Sequence, residues 1–216
     1  MSHASDPRFA VLHALRLKGF ADVDAISEQT GLYPSQVHNF LEHLQVAEHV
    51  FHREGGVTGW ALTPSGRRRH AELIGAELDG SASREAVDSV YQRFLPLNQE
   101  LLAVCSEWQV RPSGAAEGED QDPVLNDHKD FAYDAGIVRR LHNVDNEVQP
   151  LCRELARTLG RFATYGPRLT RALDRVDKGD HDWFTKPMID SYHTVWFELH
   201  EDLLTTLGLE RSRAGR

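Results

Sequence analysis

Residues 22–66 read DVDAISEQTGLYPSQVHNFLEHLQVAEHVFHREGGVTGWALTPSG, and the rest of the chain is arranged around them. Val23 and Ile26 give a first helix its apolar side, and Gly31 can end it in the left-handed region. Pro34 has no N–H to lose at a helix start, and Ser35 can cap nearby donors. Val37, Phe40, Leu41 and Leu44 then recur at i, i+3, i+4 and i+7, one apolar face of a second helix running from about Pro34 to Ala47. Phe51–Arg53 and Val57–Leu62 are strand-like runs around Glu54-Gly55-Gly56, whose glycines permit the positive φ of a hairpin. At the end of the stretch Thr63 can cap, Pro64 fits a first helical position, and Gly66 allows close backbone packing.

Helix, turn, helix, two-stranded ribbon, then helix resembles the winged helix-turn-helix of the MarR-like transcription regulators. The most specific match is Leu62-Thr63-Pro64-Ser65-Gly66 leading into Arg67-Arg68-Arg69; in that family a Leu-Thr-x-x-Gly step leaves the wing and opens the next helix. The resemblance covers the first third of the chain and implies double-stranded DNA as a partner. Family wings are typically longer, with Asp and Arg near the tip. Here the tip is Glu54-Gly55-Gly56-Val57, so Arg53 is assigned to a backbone phosphate rather than a minor groove.

On this reading the polar side of the second helix faces DNA. Gln36, His38 and Asn39 would meet base edges, with Ser35 and His43 beside them, since Gln and Asn can read adenine and Ser and His can reach bases or phosphates. Arg67 and Arg68 sit at a helix start, where they oppose the helix dipole, so dipole stabilisation does not explain them; a phosphate contact would, and a solvated basic face would equally. Charge argues the other way. The chain carries a formal net charge of −9, and through Gly80 seven Lys/Arg stand against ten Asp/Glu, a net of −3. DNA-binding domains usually show a basic footprint. The second helix has Glu42 and no Lys or Arg. The alternative expectation is therefore a protein-interaction module whose winged helix does not bind DNA.

Upstream, residues 7–18 form a first, nearly all-apolar helix capped by Asp6, with Pro7 at its first position. His13 reads as a partly buried histidine with a local hydrogen bond. Downstream, residues 67–79 continue as a helix with Ala71, Ile74 and Leu78 on one stripe. Asp79-Gly80-Ser81-Ala82-Ser83 reads as a linker, dividing residues 1–80 from a second domain at 84–216. That second domain reads as helical throughout. Val87, Val90, Phe94, Leu97, Leu101, Cys105 and Trp108 keep a 3.6 period, and Pro96 should kink or split their helix. Residues 112–123 read as a Gly-, Pro- and acid-rich loop. Asp127 should cap a helix with Phe131, Ala135, Val138 and Leu141 on its stripe, continued past Pro150 by Val148, Leu151, Leu155, Leu159 and Phe162. A shorter helix follows with Leu169, Leu173 and Val176. The last runs from about Pro187 to Leu207. The expected fold is mainly α: an N-terminal winged helix-turn-helix with a small β-wing, followed by a helical bundle for effector binding, dimerisation or both.

Tyr165, Tyr192, His193, Trp196 and His200, among the aromatics of the bundle, are candidates to line a pocket for a small-molecule effector; a plain core is the competing reading. His142 with Asp145, and Asp190 with His193 and His200, share helix faces at spacings that a zinc ion accepts, but local pairing accounts for them equally, and no metal or cofactor is expected. No Walker loop, G-x-S-x-G, G-x-G-x-x-G, paired C-x-x-C or H-E-x-x-H occurs, so a non-enzyme is expected. No run approaches the ~18 apolar residues of a membrane span. Met1–Phe9 lacks a signal-peptide pattern, and Cys105 and Cys152 read as core thiols, so the expectation is a cytoplasmic homodimer without membrane contact.

Overall fold

The computed structural model describes residues 3–56, 58–81, 83–111 and 124–209. The described chain is mainly helical, with a small antiparallel two-stranded sheet. Helix α1 (Pro7–Lys18) starts where Asp6 accepts from the N–H groups of Arg8 and Phe9 at 2.7 and 3.3 Å, satisfying donors that the first turn leaves open. Helix α2 (Val23–Thr30) is capped by Asp22 and ends at Gly31, whose φ of +72° is the left-handed position foreseen for it. Helix α3 (Pro34–Val46) follows, burying Val37, Leu41 and Leu44.

Strands β1 (Val50–Arg53) and β2 (Gly59–Leu62) pair from Val50 opposite Leu62 to Arg53 opposite Gly59. The expected second strand began at Val57, which lies outside the described residues; the strand itself starts at Gly59. Ala21 extends the ribbon by exchanging two backbone hydrogen bonds with Trp60, at 2.8 and 3.0 Å. Helix α4 (Pro64–Ser81) then begins hard against the turn before β1. Thr63 donates to the Glu48 carbonyl at 2.7 Å and accepts from the Gly66 N–H at 3.0 Å. A Cβ on Gly66 would lie 1.9 Å from the His49 carbonyl oxygen, which is why only glycine fits there.

The remaining elements are α5 (Arg84–Gln109), the two-residue strands β3 (Val110–Arg111) and β4 (Val124–Leu125), α6 (Phe131–Thr158), a 3-10 turn at Gly160–Thr164, α7 (Tyr165–Asp177), α8 (Asp182–Thr185) and α9 (Tyr192–Leu207). Several expectations change here. Helix α4 continues through Asp79 and Gly80, so most of the expected linker is helical. The β3–β4 pair was not foreseen. Pro96 does not split its helix: α5 runs through it, as α6 runs through Pro150, and the packing of these two long helices on each other outweighs one missing N–H donor. Asp130 rather than Asp127 caps α6, and Phe131 is 80% exposed, its place on the buried side taken by Asp134 and Ile137. Ser191 caps the last helix, which starts five residues later than Pro187. The expected loop at 112–123 lies outside the described residues.

Two hydrophobic clusters result. One gathers Val11, Leu15, Ile26, Leu41, Trp60 and Leu62 of the first half; the other runs from Leu78 through α5, α6, α7 and α9. Burial pushes both thiols, Cys105 and Cys152, up to about 12, so neither is a ready thiolate. No described helix is long and apolar enough to cross a membrane.

Gly66→Ala should destabilise the chain by roughly 1–3 kcal/mol or more, since the His49 carbonyl it meets is backbone and must move. Gly31→Ala, whose Cβ would make only an ordinary contact with Thr164 Cγ2 at 3.9 Å, stands at positive φ and should cost only about 1 kcal/mol. Urea unfolding midpoints of the two variants check the order.

Candidate functional site

Helix α3 packs on α1, α2 and β1, and its outer face is exposed. Ser35, Gln36, His38, Asn39, Glu42 and His43 all lie on that face. Two of the expected base readers already have local work. Gln36 Oε1 accepts from the Tyr33 N–H at 3.1 Å, closing the start of the helix, and His38 Nε2 lies 3.3 Å from Glu42 Oε1. Arg53 is exposed at the end of β1, and Arg68 is exposed on α4. Arg69 pairs with Glu72 at 3.0 Å. Arg67 turns elsewhere: it lines a cleft with Arg16 and His70, toward α9. Around α3 three large apolar side chains are bare, Tyr33 at 75%, Val46 at 86% and Phe51 at 45% exposure.

The five expected effector residues do not converge on a pocket. Tyr192 is fully buried and donates to Asp145 Oδ1 at 3.1 Å. Trp196 stacks on Phe94, with ring centroids 4.7 Å apart, and its indole N–H donates to Asn98 at 2.9 Å. His200 packs against the same Phe94, at 5.4 Å. His193 is half-buried, and desolvation lowers its basicity. Tyr165 belongs to a different cluster, described below. The polar tips of Tyr192 and Trp196 find protein partners, so these two fill core positions. The paired spacings resolve the same way: His142 reaches Asp177 of α7 at 2.9 Å, and Asp190 meets Arg168.

The chemistry that the sequence did not single out lies between the two halves. Arg161, on the 3-10 turn, has a side chain only 4% exposed. Its Nε donates to Glu77 of α4 at 2.9 Å, its Nη1 to Asp202 of α9, and its Nη2 to Thr206 at 2.6 Å. His13 is not locally bonded as expected. Its Nε2 stands 2.9 Å from Asp202 Oδ1 and its Nδ1 2.9 Å from His70 Nε2, so one imidazole links α1, α4 and α9. Tyr165 donates to Asp202 Oδ2 at 2.9 Å and accepts from Gln29 Nε2 of α2 at 2.9 Å.

A second group adjoins it. Arg168 of α7 grips Asp190 with Nε and Nη2, both at 2.8 Å, reaches Glu198 at 2.7 Å and donates to Gln29 Oε1. Lys18 of α1 completes it, 2.6 Å from the other Glu198 oxygen. Gln29 thus spends its amide on Tyr165 and its carbonyl on Arg168, tying α2 to α7. At the edge, His3 exchanges backbone hydrogen bonds with Thr158 and Gly160 at 3.3 and 2.9 Å, strapping the N-terminal segment across the 3-10 turn.

Electrostatics follow from this geometry. Burial alone would raise the Asp202 carboxyl, but Arg161 and His13 outweigh it and hold Asp202 well below the usual carboxylate range. Burial, aided by His13, Arg16 and Arg161 and opposed by Asp202, pushes His70 down to about 3. Two openings flank the cluster. One cavity of about 270 Å3 is lined by Ala10, Ala14, Gln29, Leu32, Arg161 and Asp202. The other, of about 380 Å3, contains Arg67. No protein-family model, curated protein or solved structure matches the chain.

Removing Asp202 leaves the buried Arg161 with Glu77 as its remaining counter-charge and strips His13 and Tyr165 of their shared acceptor. Asp202→Ala should cost roughly 3–5 kcal/mol, and the double change Arg161→Met with Asp202→Leu much less than two such losses. A urea double-mutant cycle reads the coupling. Stability should also fall on acidification. His70 takes up a proton more readily unfolded than folded, so its contribution, full above an ordinary imidazole pKa, is lost progressively as pH drops from ~6.5 toward about 3. His70→Gln, which keeps a donor near the Nε2 position, should flatten the pH 7-to-5 part of the urea-midpoint profile.

Proposed function

We propose that the chain is a DNA-binding transcription regulator, in which residues 1–80 form a winged helix-turn-helix of the MarR-like kind and residues 84–216 form a helical bundle that pairs two copies and responds to an effector. One observation carries this reading: the polar face of α3 is bare, directly after the tight Gly31 turn and directly before the β1–β2 ribbon. Ser35, His38, Asn39 and His43 are the side chains that would enter a major groove, and Asn39 has the amide that matches an adenine edge. Arg53 and Arg68 would hold phosphates. Gln36 is a positioning residue, spent on the start of α3, and Arg67 belongs to the cleft. Pairing supplies what one weakly basic half lacks, since two half-sites engaged together multiply a modest affinity. The coupling route is the buried cluster: whatever changes the seat of α1, α2 and α4 on α9 changes the spacing of two α3 helices.

A second reading has its own observation. Tyr33, Val46 and Phe51 are exposed around an α3 that carries no Lys or Arg, which suits docking on a protein.

Anisotropy titrations of genomic DNA fragments at rising salt separate the two. DNA binding predicts a linear fall of log affinity with log salt, shallower by about 1 in Arg68→Ala or Arg53→Ala. Asn39→Ala should instead relax sequence preference at a cost of roughly 1–3 kcal/mol. Affinity that ignores salt, or no binding at all, sinks the DNA reading and leaves protein docking.

A further inference from the structure

In a chain of net charge −9, one cleft has the opposite sign. It lies where α1, α4, α5 and the end of α9 meet and holds about 380 Å3, the size of small-molecule sites. Arg16, Arg67 and Arg84 line it from three different helices, and among the described residues no Asp or Glu does. Arg84 is employed, donating to the Leu207 carbonyl at 3.3 Å. Arg16 and Arg67 are exposed and have no ion pair among the described residues. Arg16 is close enough to help hold His70 uncharged, a sign of the positive field there.

The floor is of another character. Ala71, Ile74, Gly75 and Leu78 continue from Arg67 along one face of α4. A Cβ on Gly75 would meet nothing within 4 Å, so the space above it is open. From Arg67 to Leu78 the helix rises ~16 Å. Guanidinium forks match carboxylates and phosphates, and the floor matches hydrocarbon.

We propose that this cleft binds an amphipathic organic anion, with a carboxylate or phosphate head held by Arg16 and Arg67 and an apolar tail lying over Ala71 and Gly75 toward Leu78. Such a ligand bridges α1 and α4 to the end of α9. The proposal stands whether or not α3 meets DNA.

Calorimetric titration of the full chain tests it with four probes: octanoate, octyl phosphate, 1-octanol and inorganic phosphate. Octanoate or octyl phosphate should bind one per chain, about tenfold or more tighter than 1-octanol or inorganic phosphate, and the tighter of the two identifies the head group. Arg16→Ala and Arg67→Ala should each weaken that binding by about tenfold or more. Gly75→Leu should block the floor, while Arg139→Ala, at an exposed position on α6, leaves binding unchanged. Arg16 and Arg67 are exposed, so circular dichroism of their variants should match the parent. Equal affinity for 1-octanol, undiminished binding in both arginine variants, or no binding of either octyl anion overturns the proposal.

Discussion

The Arg161–Asp202 pair is the constraint on which the arrangement of the halves depends. A guanidinium and a carboxylate out of water are costly, and that cost is offset only when every remaining donor and acceptor is met. Here the partners come from both ends of the sequence: His13 from α1, Glu77 from α4, Thr206 from α9, and Tyr165 through Gln29 of α2. Moving either half relative to the other by a few ångströms would leave a charge stranded. Apolar contact would tolerate sliding; directional bonds to ions do not. The two hydrophobic clusters give each half its bulk, and the polar cluster between them fixes how they sit.

Aromatic side chains in the second half looked like the wall of an effector pocket, yet Tyr192 and Trp196 are packed and bonded within the core. Two openings, of about 270 and 380 Å3, lie at the junction, on either side of the buried ions. A molecule entering there would meet groups from both halves at once.

Much of the first half was legible because its signals are local. Asp6, Gly31, Pro34 and Pro64 mark helix ends by backbone chemistry that needs no distant partner. The 3.6 period of Val37, Leu41 and Leu44 gave α3 its inner face, and the bare outer face followed. The junction was not legible, because its members are far apart: Gln29 and Arg168, or His13 and Asp202, are neighbours only once the chain has folded. A faint signal was present in α9, where Glu198 and Asp202 interrupt Val195, Leu199 and Leu203 on a helix buried nearly all round. A charge at a core-facing position calls for a buried counter-charge, and Arg161 and Arg168 were the unassigned cations. Phe131 misled for the opposite reason, since its place on an apolar stripe yields to exposure set by the whole helix pair.

The strap formed by His3 across the 3-10 turn, with Ser5 hydrogen-bonded to Glu77, has a bearing on inheritance. Residues from the first few positions, from α4 and from the last helix share one set of buried bonds. The two halves therefore do not behave as interchangeable modules: grafting this first half onto a different helical body, or the reverse, would transplant half of an ionic lock without its key. Such a graft would keep these bonds only where Arg161, Asp202 and Thr206 travel with His13 and Glu77.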